Sequence, residues 1–330
     1  MRYGFNALWM FASRGQQPDE PDMKMLDFMA VHGLNYIRFP TDYRFWTEGT
    51  NYAEPDEGVL TILDGYVEAA RSRGLHVSLN LHRGPGYCIN YNNLETYNLW
   101  VDREAQDGFV AIWTNFARRY SAIPASDLSF DLINEPPAVG QYQMTRGAHE
   151  SIMRRAIEAI REVSPTRPIT VDGLASGNIP MPELVDAGVT QSCRGYTPFP
   201  ISHHKAAWAD TEGLPDPVWP GLEWNGTRWD KEALRRHYRP WLEVESAGSP
   251  IHVGEFGCFN KTDDTVAMAW LRDLLSLYKE YRWGYAMWNF KGPFGVVEHG
   301  RPGSRYEIYK GYRIDRELFE LFLSCRCSTT

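Results

Sequence analysis

No stretch of about 18 or more apolar residues occurs in the chain, so a membrane-spanning helix is excluded on length and polarity. A long run of Lys or Arg is missing as well. With a formal net charge of -8 the chain lacks the basic footprint that nucleic acid or an anionic membrane demands, and a neutral substrate suits it better. Cysteine is sparse: Cys88, Cys193, Cys258, Cys325 and Cys327 are odd in number and follow neither zinc-site nor disulfide spacing, so they read as mostly free thiols. No spacing of His, Asp and Glu demands a metal, and no cofactor is expected. A phosphate-binding glycine fingerprint is absent after the first strand-like segment, which weighs against a dinucleotide-binding sheet. Met1-Arg2-Tyr3-Gly4 runs into that segment without an apolar leader. The expectation is therefore a protein that stays inside the cell as encoded, or one secreted with its leader removed.

What is present fits one large soluble domain. The 330 residues, 43% hydrophobic and 23% charged, fall within the size range of α/β barrels and supply ample core. A single domain over residues 1–330, acting as a monomer, is expected. Aromatic residues make up 14% of the chain, with 12 tryptophans. Such side chains fill cores, and they also stack on the apolar faces of pyranose rings, so the excess permits a saccharide site.

Eight short segments rich in β-branched and aromatic residues recur along the chain, near Tyr3 to Leu8, Tyr36 to Pro40, His76 to Leu81, Leu128 to Ile133, Pro168 to Val171, Gln191 to Tyr196, Ile251 to Gly254 and Gly284 to Trp288. Helical spacing of apolar residues marks Asp22 to His32, Leu60 to Arg73, Glu104 to Tyr120, His149 to Val163, Lys231 to Glu245, Thr265 to Tyr281 and Asp315 to Leu323. The βα rhythm predicts an α/β fold, a (β/α)8 TIM barrel, with a doubly wound open sheet as the alternative. Nearly continuous apolar runs such as Leu128 to Ile133 suit parallel strands covered on both faces. The stretch from Thr197 to Asp230, with Trp208, Trp219, Trp224 and Trp229, is far longer than an ordinary βα loop, and its tryptophans argue against disorder.

In such a barrel the catalytic groups stand at the C-terminal ends of strands. Those ends carry Asn6, Arg38, His82, Asn134 with Glu135, Tyr196, Glu255 and Trp288, a polar and aromatic set after apolar strand bodies. One Glu there serves an ion pair or a helix cap as readily as catalysis. Two, after strands four and seven and with Asn and Arg at neighbouring ends, point to a carboxylate pair that does chemistry.

Asn134-Glu135-Pro136, Gly254-Glu255-Phe256-Gly257, Ile37-Arg38-Phe39-Pro40, Leu81-His82-Arg83-Gly84-Pro85-Gly86-Tyr87 and Trp288-Asn289-Phe290-Lys291-Gly292-Pro293-Phe294-Gly295-Val296, in that set, resemble glycoside hydrolase family 5, the cellulase and mannanase family. The resemblance covers nearly the whole chain. It implies a β-linked oligo- or polysaccharide substrate, Glu135 as proton donor and later base, and Glu255 as nucleophile in a retaining double displacement. It further implies that Asn134 bonds the sugar 2-hydroxyl, that Arg38 and Tyr196 stand beside the nucleophile, that His82 lines the site and that Trp288 floors a subsite. A nucleophile must stay ionised, whereas a proton donor needs a raised pKa from a less polar setting and its fellow carboxylate.

One position departs from the family pattern. Where members commonly have His-x-Tyr at strand six, this chain has Arg194-Gly195-Tyr196. Arg194 either enters the site, altering its charge and sugar fit, or turns outward to a salt bridge. His203 and His204 resemble a family loop motif, but a loop histidine is often only a solvated polar residue. Trp9, Trp46 and Trp208 lie just beyond strand ends as candidate sugar platforms; Trp113 and Trp270 fall on amphipathic helices as core. Glu298 and His299 follow strand eight and are further candidates for the cleft. An endo-β-1,4-glucanase is the leading expectation. A β-mannanase, a xyloglucanase, an exo-β-glucosidase and a barrel that only binds carbohydrate remain as alternatives.

Overall fold

The computed structural model describes residues 1–12 and 16–327. Eight parallel strands, β1 (Tyr3–Asn6), β2 (Tyr36–Asp42), β3 (His76–Gly84), β4 (Leu128–Asp131), β5 (Ile169–Asp172), β6 (Thr190–Gly195), β7 (Ile251–Phe256) and β8 (Gly284–Met287), account for all eight expected segments. They are hydrogen-bonded in the order β2-β1-β8-β7-β6-β5-β4-β3, and β2 also pairs with β3, so no barrel strand is left with an open edge. This is the (β/α)8 barrel; the open-sheet alternative is excluded by the β2–β3 pairing.

Every residue of β2 and β3 is buried, as expected of parallel strands covered on both faces. The helices show the complementary pattern. On the helix Glu57–Arg71, Leu60, Leu63, Tyr66, Val67 and Ala70 recur at three- and four-residue spacing and form the buried stripe. Asp56 starts that helix by accepting from the Gly58 and Val59 amides, and Asp22, Thr145, Asp263 and Asp315 cap four others in the same way. Each such cap contributes roughly 1 kcal/mol by satisfying an otherwise orphaned amide.

Two compact units make up the chain, residues 1–6, 194–243 and 251–330 in one and residues 7–193 and 244–250 in the other. In the first, an aromatic cluster joins β1, β7, β8 and the last helix: Phe5 stacks on Phe322 at 4.9 Å, and Phe256 meets Tyr285 edge-on at 5.5 Å. In the second, Trp113 tilts against Phe130 of β4 at 5.2 Å and meets Phe116 edge-on at 5.7 Å. Trp113 and Trp270 are both fully buried, as their helical positions required.

The long stretch after β6 is ordered by a hairpin, Leu222–Trp224 paired with Thr227–Trp229, which local patterning did not reveal. Trp219 donates to Asp273 Oδ2 at 3.0 Å and Trp229 to the Trp224 carbonyl at 3.2 Å, so these tryptophans anchor the hairpin. A second unforeseen hairpin, Tyr306–Tyr309 with Tyr312–Asp315, precedes the last helix. Among the described residues, no helix is long and apolar enough to cross a membrane.

Candidate active site

Glu135 follows β4 in a left-handed backbone conformation, with φ 48°. For a residue with a Cβ this costs roughly 1–3 kcal/mol and persists only where the surroundings over-determine it. Here they do. The Glu135 amide donates to Asp172 Oδ2 at 2.9 Å, and the Glu135 carbonyl accepts from the Tyr87 hydroxyl at 2.6 Å. Burial first, and then the nearby Glu135 carboxylate, push the Tyr87 phenol well above its usual pKa, so it remains a donor.

Arg38 lies fully buried next to the same strand end. Its Nε donates to Asp131 Oδ2 at 2.6 Å and its Nη2 to Asn134 Oδ1 at 3.0 Å, which fixes the Asn134 amide. His82 is 5% exposed, with the Phe11 ring edge-on at 4.5 Å. It sits where the β2–β3 register slips: Thr41 pairs with Leu81 and Asp42 with Arg83, so His82 is the extra residue of a bulge. Glu95 binds Arg83 Nη1 at 2.5 Å, the Tyr43 hydroxyl at 2.9 Å and the Gly86 amide at 3.0 Å.

Glu255 is the second-to-last residue of β7 and also occupies a bulge. Val253 pairs with Tyr285 and Phe256 with Met287, so β7 spends one more residue than β8 across that span. An extra residue at this point re-aims the side chain. Only 3% of Glu255 is exposed. The Tyr196 hydroxyl donates to its Oε2 at 3.1 Å, and Arg194 Nη2 lies 3.4 Å from its Oε1. Arg194 therefore turns inward, which settles the alternative left open at the departure from the family pattern. Its carbonyl accepts from Tyr238 at 3.1 Å, and Tyr238 in turn pairs with the Tyr278 hydroxyl at 2.8 Å. Between Arg194 and Tyr196, only glycine fits: a Cβ on Gly195 would lie 2.3 Å from the Tyr278 hydroxyl and 2.5 Å from Phe256 Cβ.

The aromatic candidates separate on burial. Trp208 is 47% exposed and meets Phe259 edge-on at 4.7 Å. Trp288 and Tyr196 pack on the cluster of Ala206, Phe259 and Phe294 and stay partly accessible. Trp9 rests against Phe39 and Tyr66 and lines a cavity of about 230 Å³ with Phe11, Gln16, Gln17 and Phe45. Trp46 is 2% exposed and tilted on Phe116, a packing position rather than a sugar platform. His203 stacks on Phe199 at 4.3 Å and meets Tyr196 edge-on at 4.9 Å; burial lowers its pKa to about 3, so it is neutral near pH 7. Its placement steadies the Tyr196 ring. His299 does not serve a cleft: it is buried and bound to Asp315 Oδ2 at 3.0 Å, while Glu298 pairs with Lys291 at 3.1 Å. Burial raises the Cys258 thiol above its usual pKa, so it is no thiolate nucleophile. No group of three or more metal-ligating side chains occurs among the described residues.

The sequence profile of the cellulase family, glycosyl hydrolase family 5, matches residues 3–293. The chain belongs to that family. As a family 5 member it is a glycosidase, an enzyme that hydrolyses glycosidic bonds. It is 28% identical over 294 residues to endoglucanase C of Acetivibrio thermocellus, an alignment covering 81% of this chain and 83% of that protein. Cellodextrinase A of Ruminococcus flavefaciens is 22% identical over 277 residues, covering 79% of this chain and 75% of the other. A solved structure described as a glycoside hydrolase is 52% identical, covers 99% of both chains and has a TM-score of 0.98. Cel5A of Thermotoga maritima, at 21% identity and a TM-score of 0.78 over 97% of each chain, shares the fold; its structure is described as a complex with mannotriose.

Within this family 5 chain, Tyr87 and Asp172 were not singled out from sequence. Asp172 ends β5, so the rule that located the other strand-end residues applies to it equally. Tyr87 closes the Leu81 to Tyr87 segment that resembles the family, but nothing in that segment points to its partner, a main-chain carbonyl 48 residues later.

Proposed function

We propose that this glycosidase is an endo-acting β-1,4-glucanase, a single catalytic domain that cleaves with retention of anomeric configuration. The observation that carries the reading is the setting of Glu255, whose two carboxylate oxygens face the Tyr196 donor and the Arg194 cation at the end of β7. A nucleophile needs such a setting, because its negative charge must persist until it attacks. In the first step a Glu255 oxygen bonds to the anomeric carbon as the bond to the leaving oxygen breaks. Glu135 gives its proton to that oxygen. Glu135, now ionised, then takes a proton from water, which attacks the anomeric carbon and releases Glu255. This route needs carboxyl groups about 5 to 5.5 Å apart, against a wider gap for inversion.

Asn134, whose amide oxygen Arg38 holds, would bond the 2-hydroxyl of the attacked sugar. Trp288 and Trp208 offer accessible aromatic faces for neighbouring units. His82 and Trp9 would line the glycone side. The curated relatives named endoglucanase and cellodextrinase support β-1,4-glucan as the substrate. β-Mannan is the second reading, favoured by the mannotriose complex of Cel5A. The test is a panel of cellulose-derived, mixed-linkage, xyloglucan and mannan chains with time-resolved NMR of the first products. Internal cleavage of β-1,4-glucan giving the β-anomer first is expected. An α-anomer first would rule out retention, and activity confined to mannan would replace the substrate.

A further inference from the structure

The backbone from Glu135 to Pro137 is gripped more fully than a loop needs. The Asp172 carboxylate takes the Glu135 amide and the Tyr87 hydroxyl reaches the Glu135 carbonyl, at 2.9 and 2.6 Å. The loop after β5 completes the hold: the Ser176 amide donates to the Pro136 carbonyl at 3.0 Å and the Ala175 amide to the Pro137 carbonyl at 3.2 Å. Since prolines carry no amide hydrogen, every main-chain donor and acceptor over these three residues is engaged.

Both gripping side chains are wholly buried, Tyr87 and Asp172 alike. Tyr87 is itself fixed by a turn that only glycine can make. Gly86 has φ 77°, and a Cβ there would lie 2.4 Å from the Leu99 amide nitrogen. The Gly86 amide is held by Glu95 at 3.0 Å, so the hydroxyl arrives at Glu135 from a rigid base.

We propose that Tyr87 and Asp172 are positioning residues that hold Glu135 in its left-handed conformation and so aim its carboxyl at the leaving-group oxygen. The inference rests on Glu135 being the proton donor. Freed of either bond, Glu135 relaxes toward negative φ, which swings its Cα–Cβ bond and moves the carboxyl off line. A misplacement of about 1 Å costs on the order of 10²-fold in rate.

Proton donation matters most when the leaving group is poor. The full chain, with Tyr87→Phe, Asp172→Asn and Glu135→Ala variants, is to be assayed on cellotetraose and on 2,4-dinitrophenyl β-cellobioside, whose phenolate departs without a proton. Tyr87→Phe and Asp172→Asn are each expected to lose about tenfold to 100-fold in kcat/KM on cellotetraose, and less than about threefold on the aryl glycoside. Circular dichroism checks that both fold. Equal losses on the two substrates in both variants would reduce the residues to a general structural role and overturn the proposal. Glu135→Ala separates the two levels of the argument. If it fails to discriminate between the substrates, the donor assignment itself fails; if it discriminates while Tyr87→Phe and Asp172→Asn do not, only the positioning role fails.

Discussion

Glu135 and Glu255 end equivalent strands, yet the protein holds them by different handles. Glu135 is fixed through its main chain, at a φ of 48°, by Asp172 and Tyr87. Glu255 is fixed through its carboxylate, by Tyr196 and Arg194, on a bulged but extended strand. In the proposed roles the difference has a chemical reason. A group that must release and regain a proton in each cycle gains from bonds to its backbone, because they orient it equally in both protonation states. A group that must carry charge until it forms an ester is best served by a cation and a donor on its oxygens.

The sharpest way to break this contrast is to remove each side chain and offer a small nucleophile. Glu135→Ala should lose about 10² to 10⁴-fold on unactivated glucan, the range of general acid catalysis, and azide should restore turnover of an activated aryl glycoside as the β-glycosyl azide. Glu255→Ala should lose still more, and any azide product should have the α configuration, since azide enters from the vacated nucleophile side. Product configuration by NMR decides it. The same anomer from both variants would show that the two residues do not play opposite parts.

A smaller effect sharpens the Glu255 side alone. Tyr196→Phe removes one hydrogen bond to an ionised group and keeps the ring against Phe294, 6.2 Å between centroids. Such bonds contribute about 1.5–3 kcal/mol, which predicts roughly a tenfold to 100-fold fall in kcat/KM on glucan and aryl glycoside alike. That uniform loss is the opposite signature to the one expected of Tyr87→Phe. A loss under twofold would mean that Tyr196 serves only as packing.

The strands were legible because parallel strands covered on both faces leave apolar runs that need no knowledge of their neighbours. Their ends were less so: β7 runs on through Phe256 and β3 through Gly84, so Glu255 and His82 lie within bulged strand ends instead of just past them. Bulges depend on the partner strand, and no local pattern records them. The direction of Arg194 was equally hidden, since it is decided by a carboxylate 61 positions later. Trp219 and Trp208 share one loop and one residue type, yet the first is tied to Asp273 while the second stays 47% exposed. What sequence patterning misses is the long-range partner, as for Tyr87, whose bond reaches a carbonyl 48 positions on, whereas Asp172 ends β5 and is legible by the strand-end rule.

The least visible consequence of the Glu135 arrangement concerns acid. His149 is fully buried, stacked on Trp100 at 5.7 Å, and burial lowers its pKa from 6.5 to about 3, partly opposed by the Glu183 and Asp172 charges. The folded protein thus keeps this ring neutral while the unfolded chain protonates it near pH 6.5. Its contribution to stability is fully present above that pH and is lost as pH falls toward 3, at up to about 1.4 kcal/mol per pH unit. His237, lowered to about 4 by burial in the other unit, acts with the same sign. Urea midpoints at pH 7.5, 6 and 5 should therefore fall steadily, and His149→Gln should flatten that slope by close to one proton. The same ring feels the Asp172 carboxylate that holds the Glu135 amide. Because the folded protein leaves it neutral down to about pH 3, His149→Gln should leave the activity profile on glucan above pH 5 unchanged while it flattens the urea slope. A shifted activity profile would mean that the ring carries a proton in the folded protein.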